Sequence, residues 1–248
     1  MMISFTRMSD PVSVPEATQK RKTVIIALPG REFSGNFLVS WTKALHTLWA
    51  NNYEAIVLNR FSSYVTFSRM QCLGLDVLRG VEQKPFNGQV DYDVWVSLDS
   101  DVIFQPEQLI ELIESTKTHP VVSGFYRMAD LKHVASVQVW DTSFFAQHGT
   151  FQFLTPEDVE SYKTTTGQTF MPVAYTGLGM FACRREVLEA LRYPYFDAPL
   201  QEITTQEGVV LRDICSEDVA FCKNIEAAGY TVMLHTGLRV GHEKMLII

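Results

Sequence analysis

The chain has 248 residues, 46% of them hydrophobic and 20% charged, and carries a net charge of −7. That length supports one sizeable core and excludes two comfortable domains. The acidic balance excludes a free-standing nucleic-acid binder, which would show a basic stripe.

Residues 1–22 mix Pro, Ser, Thr and charge without period and read as a loose N-terminal tail. They lack the apolar stretch of a secretory signal, and no run in the chain reaches membrane-spanning length. Cys72, Cys183, Cys215 and Cys222 show no C-x-x-C spacing, which favours a reduced setting over a disulfide framework. A soluble, cytoplasmic protein without a membrane span is therefore expected.

Order is expected from Thr23, where an apolar run to Leu28 is stopped by Pro29-Gly30 and predicts a strand buried on both faces. Phe37 to Asn51 predicts an amphipathic helix burying Leu38, Trp41, Leu45 and Leu48. A second strand follows at 53–58 and a second helix at 66–78. Val94 to Leu98 predicts a third strand running into Asp99-Ser100-Asp101, then a helix over 106–118 with Pro near its first turn. A fourth strand is expected at 120–124. This β-α alternation predicts a single α/β domain, Rossmann-like, with a mostly parallel central sheet and helices on both faces.

The later half predicts a smaller mixed β region. Residues 133–142 alternate as a strand with one wet face, 144–170 read as loops with a short helix near Pro156, and 197–213 read as a mobile polar loop. A helix is expected over 216–228, closed by Gly229, then a short strand.

Ligands of an open α/β sheet bind beyond the carboxyl ends of its strands. The third strand delivers Asp99 and Asp101 to that edge, where an oxygen-rich site suits Mg²⁺ or Mn²⁺. A second D-x-D, Asp91-Tyr92-Asp93, precedes the strand and reads as a solvated entry. Glu217 and Asp218, behind Ser216, have a plain explanation as first-turn acids that complement a helix dipole. Either could instead take a proton from a hydroxyl. His242 is a late imidazole that could ligate a divalent metal, with His235 as its rival. The aromatics of 144–170, with Trp140, read as core anchors ahead of sugar-stacking surfaces.

In order, Leu98-Asp99-Ser100-Asp101, Tyr175-Thr176-Gly177-Leu178-Gly179-Met180-Phe181, Ser216-Glu217-Asp218-Val219-Ala220-Phe221 and Val240-Gly241-His242 resemble the GT-A-fold nucleotide-sugar glycosyltransferases, most closely family 2 and its relatives. The resemblance spans roughly 23–243. It implies a nucleotide-binding half at 23–124 and an acceptor-binding, catalytic half at 125–248. It implies Mn²⁺ or Mg²⁺ on Asp101 and His242, with Asp99 at the metal or the donor's ribose. It also implies Asp218 as base with Glu217 alongside, and donor contacts at Pro29, Arg31, Arg69, Ser100, Gly177 and Gly179. The donor would be a UDP- or GDP-sugar and the acceptor a carbohydrate or glycoprotein, with inversion at the anomeric carbon. The first turn, Pro29-Gly30-Arg31-Glu32, and Arg69-Met70 depart from the usual pattern.

A nucleotidyltransferase that makes sugar nucleotides is the nearest rival, although the turn after the first strand lacks the Gly-rich basic phosphate loop it would need. A non-catalytic nucleotide- or sugar-binding module is the other.

Overall fold

The computed structural model describes residues 20–244. Residues 1–19 of the expected tail lie outside the described residues. The first half runs β1 (Lys22–Pro29), α1 (Gly35–Ala50), β2 (Tyr53–Arg60), α2 (Val65–Cys72), β3 (Val94–Leu98), β4 (Val102–Ile103), α3 (Pro106–Ser115) and β5 (Val121–Phe125). Then come β6 (Ser136–Val137), α4 (Thr142–His148), α5 (Pro156–Thr166), β7 (Phe170–Val173), β8 (Tyr175–Thr176), β9 (Met180–Arg184) and α6 (Arg185–Ala190). The chain continues through β10 (Leu200–Thr204), β11 (Val210–Ile214), α7 (Glu217–Ala227), β12 (Val232–Arg239) and β13 (Gly241–His242).

The class is mixed α/β, built on a 7-stranded sheet in the order β2-β1-β3-β9-β5-β12-β7. β1, β2 and β3 are mutually parallel, and β9 runs against both β3 and β5. β12 is parallel to β5, and β7 closes the edge antiparallel. The sheet is thus mostly parallel.

Both faces are covered, which is why its inner strands read as unbroken apolar runs. Successive side chains of a strand point to opposite faces. Val24, Ile26 and Leu28 of β1 join Val94, Val96 and Leu98 of β3 under α1 and α3. Ile25, Ala27 and Trp95 enter the other core, with α2 and α7.

Several elements differ from the sequence-based expectation, each for an identifiable reason. α1 buries Phe37, Ser40, Ala44 and Leu48, whereas Leu38 and Leu45 are 51% and 38% exposed. Leu48 is buried as expected and Trp41 packs on the core, while the small side chains of Ser40 and Ala44 let the helix lie close to its neighbours on a stripe turned away from Leu38 and Leu45. α2 stops at Cys72 instead of reaching 78, because Gly74 turns the chain at φ +60°. A Cβ there would lie 2.9 Å from the Phe86 ring.

Of the strand expected over 133–142, only β6 forms, paired with β8, and Asp141 then caps α4 by accepting from the Phe144 N–H at 2.8 Å. The short helix expected near Pro156 is α5, and a further helix, α4, forms at the start of the segment expected as loops over 144–170. The segment expected as an irregular loop over 197–213 holds the antiparallel hairpin β10–β11. Its cross-strand pair Glu202–Arg212 closes at 2.7 Å, and Gly208 makes the turn at φ +79°. Among the described residues no helix is long and apolar enough to cross a membrane.

The observed α1 register has a measurable consequence. Ala44→Leu should overpack the interface and destabilise by about 1–3 kcal/mol, whereas Leu45→Ala should change stability by less than about 0.5 kcal/mol. Thermal denaturation distinguishes them; a larger loss from Leu45→Ala would return the helix to the face its periodicity suggested.

Candidate functional site

The site forms where β3 ends. The Val102 N–H donates to the Asp99 carbonyl at 3.2 Å, closing a four-residue turn, and the Asp99 N–H donates to the Gly179 carbonyl at 3.1 Å. The turn sends its two carboxylates in different directions. Asp99 Oδ1 accepts from Arg69 Nη2 at 3.0 Å. Asp101 Oδ2 lies 2.7 Å from Lys244 Nζ and 3.2 Å from His242 Nε2. His242 arrives there because β13 pairs antiparallel with β4, setting His242 opposite Val102.

The Asp101–His242 pair has a defined polarity. His242 Nδ1 is 2.8 Å from the Arg127 carbonyl. A carbonyl can only accept, so Nδ1 carries the proton. In a neutral ring Nε2 would then turn its lone pair toward a carboxylate oxygen, an arrangement that requires a proton or another cation between them. The hydrogen bond to Asp101 raises the His242 pKa, with burial opposing it. Burial alone would raise the Asp101 pKa, but hydrogen bonds from His242 and Lys244 outweigh it and hold the group at about 2.

One carboxylate and one imidazole, fixed on a short β-ladder, are donors that fit Mn²⁺ or Mg²⁺, which leave positions for phosphate and water. Among the described residues no group of three or more His, Cys, Asp and Glu side chains gathers in a metal-holding cluster. Asp99, expected at the metal or at the donor's ribose, forms an ion pair with Arg69.

Arg69 is 4% exposed. Its Nε donates to Glu217 Oε1 at 3.2 Å and its Nη1 to Ser97 Oγ at 2.9 Å, besides the bond to Asp99. Burial would lower its pKa, but the charges of Asp99, Glu217 and Asp218 raise it further. A residue expected to face a nucleotide thus ties the end of β3 to the start of α7. Burial and the Asp218 charge push the Glu217 carboxyl above its ordinary range, while Arg69 pulls it back.

Asp218 is held differently from its neighbour. Tyr175 Oη donates to its Oδ2 at 3.1 Å, and its Oδ1 accepts from the Val219 N–H at 2.9 Å and from the Ser216 hydroxyl. Ser216 occupies the cap position of α7, yet its hydroxyl bonds Asp218 and caps no backbone N–H.

Tyr126 links the two parts of the site. Its ring lies 4.7 Å from the His242 ring, and its hydroxyl accepts from the Gly179 N–H at 3.4 Å. Burial raises its pKa, and the charges of Asp99 and Asp218 add to that effect. The glycines of the turn make room for this ring. A Cβ on Gly177 would lie 2.2 Å from the Tyr126 hydroxyl oxygen, and one on Gly179 would lie 2.7 Å from its Cε1.

The remaining expected positions are distributed as follows. Pro29 is the buried last residue of β1, in register with Arg60. Gly30 packs on Ser100, with its missing Cβ 3.2 Å from Ser100 Oγ. Arg31 is exposed, its guanidinium 5.8 Å from the Phe61 ring. His235, the rival ligand, is buried with Nε2 3.1 Å from Glu111 Oε1, away from the Asp101 pair. The second D-x-D is a strand entry: Asp93 accepts from the Thr23 N–H at 2.8 Å and Asp91 pairs with Arg185 at 2.8 Å.

Tyr126, Tyr175 and Lys244 are site residues that the sequence analysis did not single out. Tyr175 stood inside a quoted motif, but no spacing in the chain marks Tyr126 or Lys244. Comparison with known proteins adds no identity: no family model and no curated relative matches the chain.

Removing the guanidinium should expose how much depends on it. Arg69→Met should destabilise by about 3 kcal/mol at neutral pH, because Asp99 and Glu217 lose a buried partner. The lost cation raises the Glu217 pKa further. An acid whose folded pKa exceeds its unfolded value destabilises the fold once ionised, so the deficit relative to the parent should shrink as pH falls. Urea denaturation across pH tests this; a deficit constant with pH would remove Glu217 from the explanation.

Proposed function

We propose that this protein is a metal-dependent glycosyltransferase of GT-A type, moving a sugar from a nucleotide diphosphate donor to a carbohydrate or glycoprotein acceptor. The reading is supported above all by one juxtaposition. Asp101 contacts His242, whose ring packs on Tyr126, and Asp218 lies near enough for its charge to act on the Tyr126 hydroxyl. Residues more than a hundred positions apart in the chain thus share the carboxyl edge of one mostly parallel sheet, where ligands of such sheets bind.

Asp101 and His242 would hold Mn²⁺ or Mg²⁺, which when bound neutralises charge on the departing diphosphate. Lys244, now on Asp101, brings a second cation to the same place. Asp218 accepts the proton of the acceptor hydroxyl, whose oxygen then bonds the anomeric carbon. The bond from that carbon to the diphosphate oxygen breaks, and the nucleoside diphosphate leaves with the bonding pair. A single displacement inverts the anomeric centre. Tyr175 orients Asp218, and Arg69 orients Asp99 and Glu217; these are positioning roles.

Asp101→Ala should remove Mn²⁺-dependent binding of a nucleotide sugar, measured by calorimetry across UDP- and GDP-sugars. Asp218→Asn should leave that binding near normal and lower transfer by at least about a hundredfold, the range general-base removal commands. Unchanged donor affinity in the first variant, or full turnover in the second, would overturn the respective assignment. Release of pyrophosphate in place of nucleoside diphosphate would transfer the protein to the nucleotidyltransferases.

A further inference from the structure

The two edges of the central sheet are finished differently. β7 is 4 residues long and contains Pro172, which has no N–H to offer a further strand. β2 is 8 residues long, contains no proline, lysine or glycine, and keeps unbroken register with β1 from Tyr53 to Arg60. Among the described residues no strand pairs with its far side. A long, regular edge of this kind is a ready template for another strand, and proteins ordinarily blunt it.

The backbone groups on that edge follow from the ladder. The Lys22 N–H donates to the Asn52 carbonyl at 3.2 Å, and the Gly30 N–H donates to the Arg60 carbonyl at 3.0 Å. Alternate residues of a strand turn their N–H and C=O to the same side, so Glu54, Ile56, Leu58 and Arg60 turn theirs to β1. Ala55, Val57 and Asn59 therefore present theirs to the open edge. Side chains alternate between the faces as well. Tyr53 and Ala55 pack in the core under α1, and Ile56 and Leu58 pack in the opposite one. Val57, 41% exposed, thus lies on the α1 side of the edge.

α1 adds an apolar flank beside it. Asn36 Nδ2 donates to Glu243 Oε1 at 3.3 Å, which turns one flank of the helix toward β13 and the candidate site. At about 100° per residue, Leu38, Leu45 and Trp49 cluster on the flank roughly opposite Asn36. All three are exposed, with the Arg21 guanidinium 3.4 Å over the Trp49 ring. The candidate site lies on the β3 side of β1, so the opposite flank of α1 faces the β2 edge.

We infer that β2 pairs antiparallel with β2 of a second copy about a two-fold axis at Val57, forming a dimer with one continuous sheet. A two-fold contact is self-complementary: if residue i meets j, then j meets i. With Val57 opposite its own copy, Ala55 stands opposite Asn59 and Glu54 opposite Arg60. The outward N–H and C=O groups of Ala55, Val57 and Asn59 all gain partners. Axes at Ile56 or Leu58 would also pair the backbone, but they set Glu54 against Leu58 or Ser62. Only the Val57 axis brings opposite charges together, and it does so twice. Arg60 Nη1 rests on the Asn59 carbonyl at 2.8 Å, leaving its other nitrogens for Glu54 of the second copy. The axis stands perpendicular to the sheet, so the two α1 helices lie on the same face with their apolar flanks turned to each other. The carboxyl ends of the two β3 strands point in opposite directions, and both candidate sites stay open. The dimer is independent of the reaction the site performs.

Sedimentation velocity of the full chain across about 1–100 µM should show a monomer–dimer equilibrium. E54K and R60E each set like charges opposite one another twice, and each should weaken dimerisation at least about tenfold. Both side chains are exposed, so the swaps leave the fold intact. An equimolar mixture of the two variants should dimerise within about threefold of the parent, because every cross-strand pair is again of opposite sign. The amides of Ala55, Val57 and Asn59 should exchange more slowly as the dimer fills. A chain that stays monomeric, a dimer indifferent to both swaps, or a mixture that fails to associate would sink the inference. Protection of those three amides in a monomer would show another segment of the same chain on the edge and reject it equally, and species larger than a dimer would reject the closed two-fold.

Discussion

Arg69 is almost completely buried, and its guanidinium reaches the end of β3 through Asp99 and Ser97 and the start of α7 through Glu217. Those two elements are separated by more than a hundred residues, with β4 to β11 between them. An ion network of this kind contributes little net stability when the desolvation of its members is counted. Its value lies in geometry, because removing one member leaves charges that nothing else nearby can match. The carboxyl edge of the sheet is thus held at a fixed opening, and Asp101 and Asp218 inherit their positions from it.

The antiparallel strand β9 has a second consequence. It enters between β3 and β5, and the turn that feeds it carries Gly177 and Gly179 under the Tyr126 ring. Tyr126 occupies space that only glycine leaves free and presents its ring to His242 and its hydroxyl to the Gly179 N–H. Tyr126 therefore packs on the His242 ring and, through Gly179, on the turn that precedes β9. The glycines first read as donor-sugar contacts have a packing reason that is complete without a ligand.

The second half of the chain contributes the hairpin β10–β11 and the helix α7. The hairpin β10–β11 is largely exposed, and its outer face shows Leu200, Val210 and Ile214 to solvent. With Trp140, Phe145 and Phe151 it lines a cavity next to α7.

The sequence by itself determined the α/β class, the buried strands β1 and β3, the placement of Asp99 and Asp101 at the end of β3, and the helix that begins with Glu217 and Asp218. These features depend on local periodicity and on breakers such as Pro29, Pro106 and Gly229, which act within a few residues. The hairpin at 200–214 was not legible because its apolar residues, Leu200 and Ile203 in β10 and Val210, Leu211 and Ile214 in β11, do not alternate with polar ones. The face of α1 was legible in part: Leu48 is buried and Trp41 packs on the core, but Leu38 and Leu45 are exposed because burial there also follows the small residues Ser40 and Ala44. Only the tertiary structure decided that Asp99 belongs to Arg69, that His242 meets Asp101 through β13 and β4, and that Tyr126 stands between the candidate centres. Each of those contacts joins residues brought together by strand order, and strand order is set by the burial of the whole sheet, which no local pattern records.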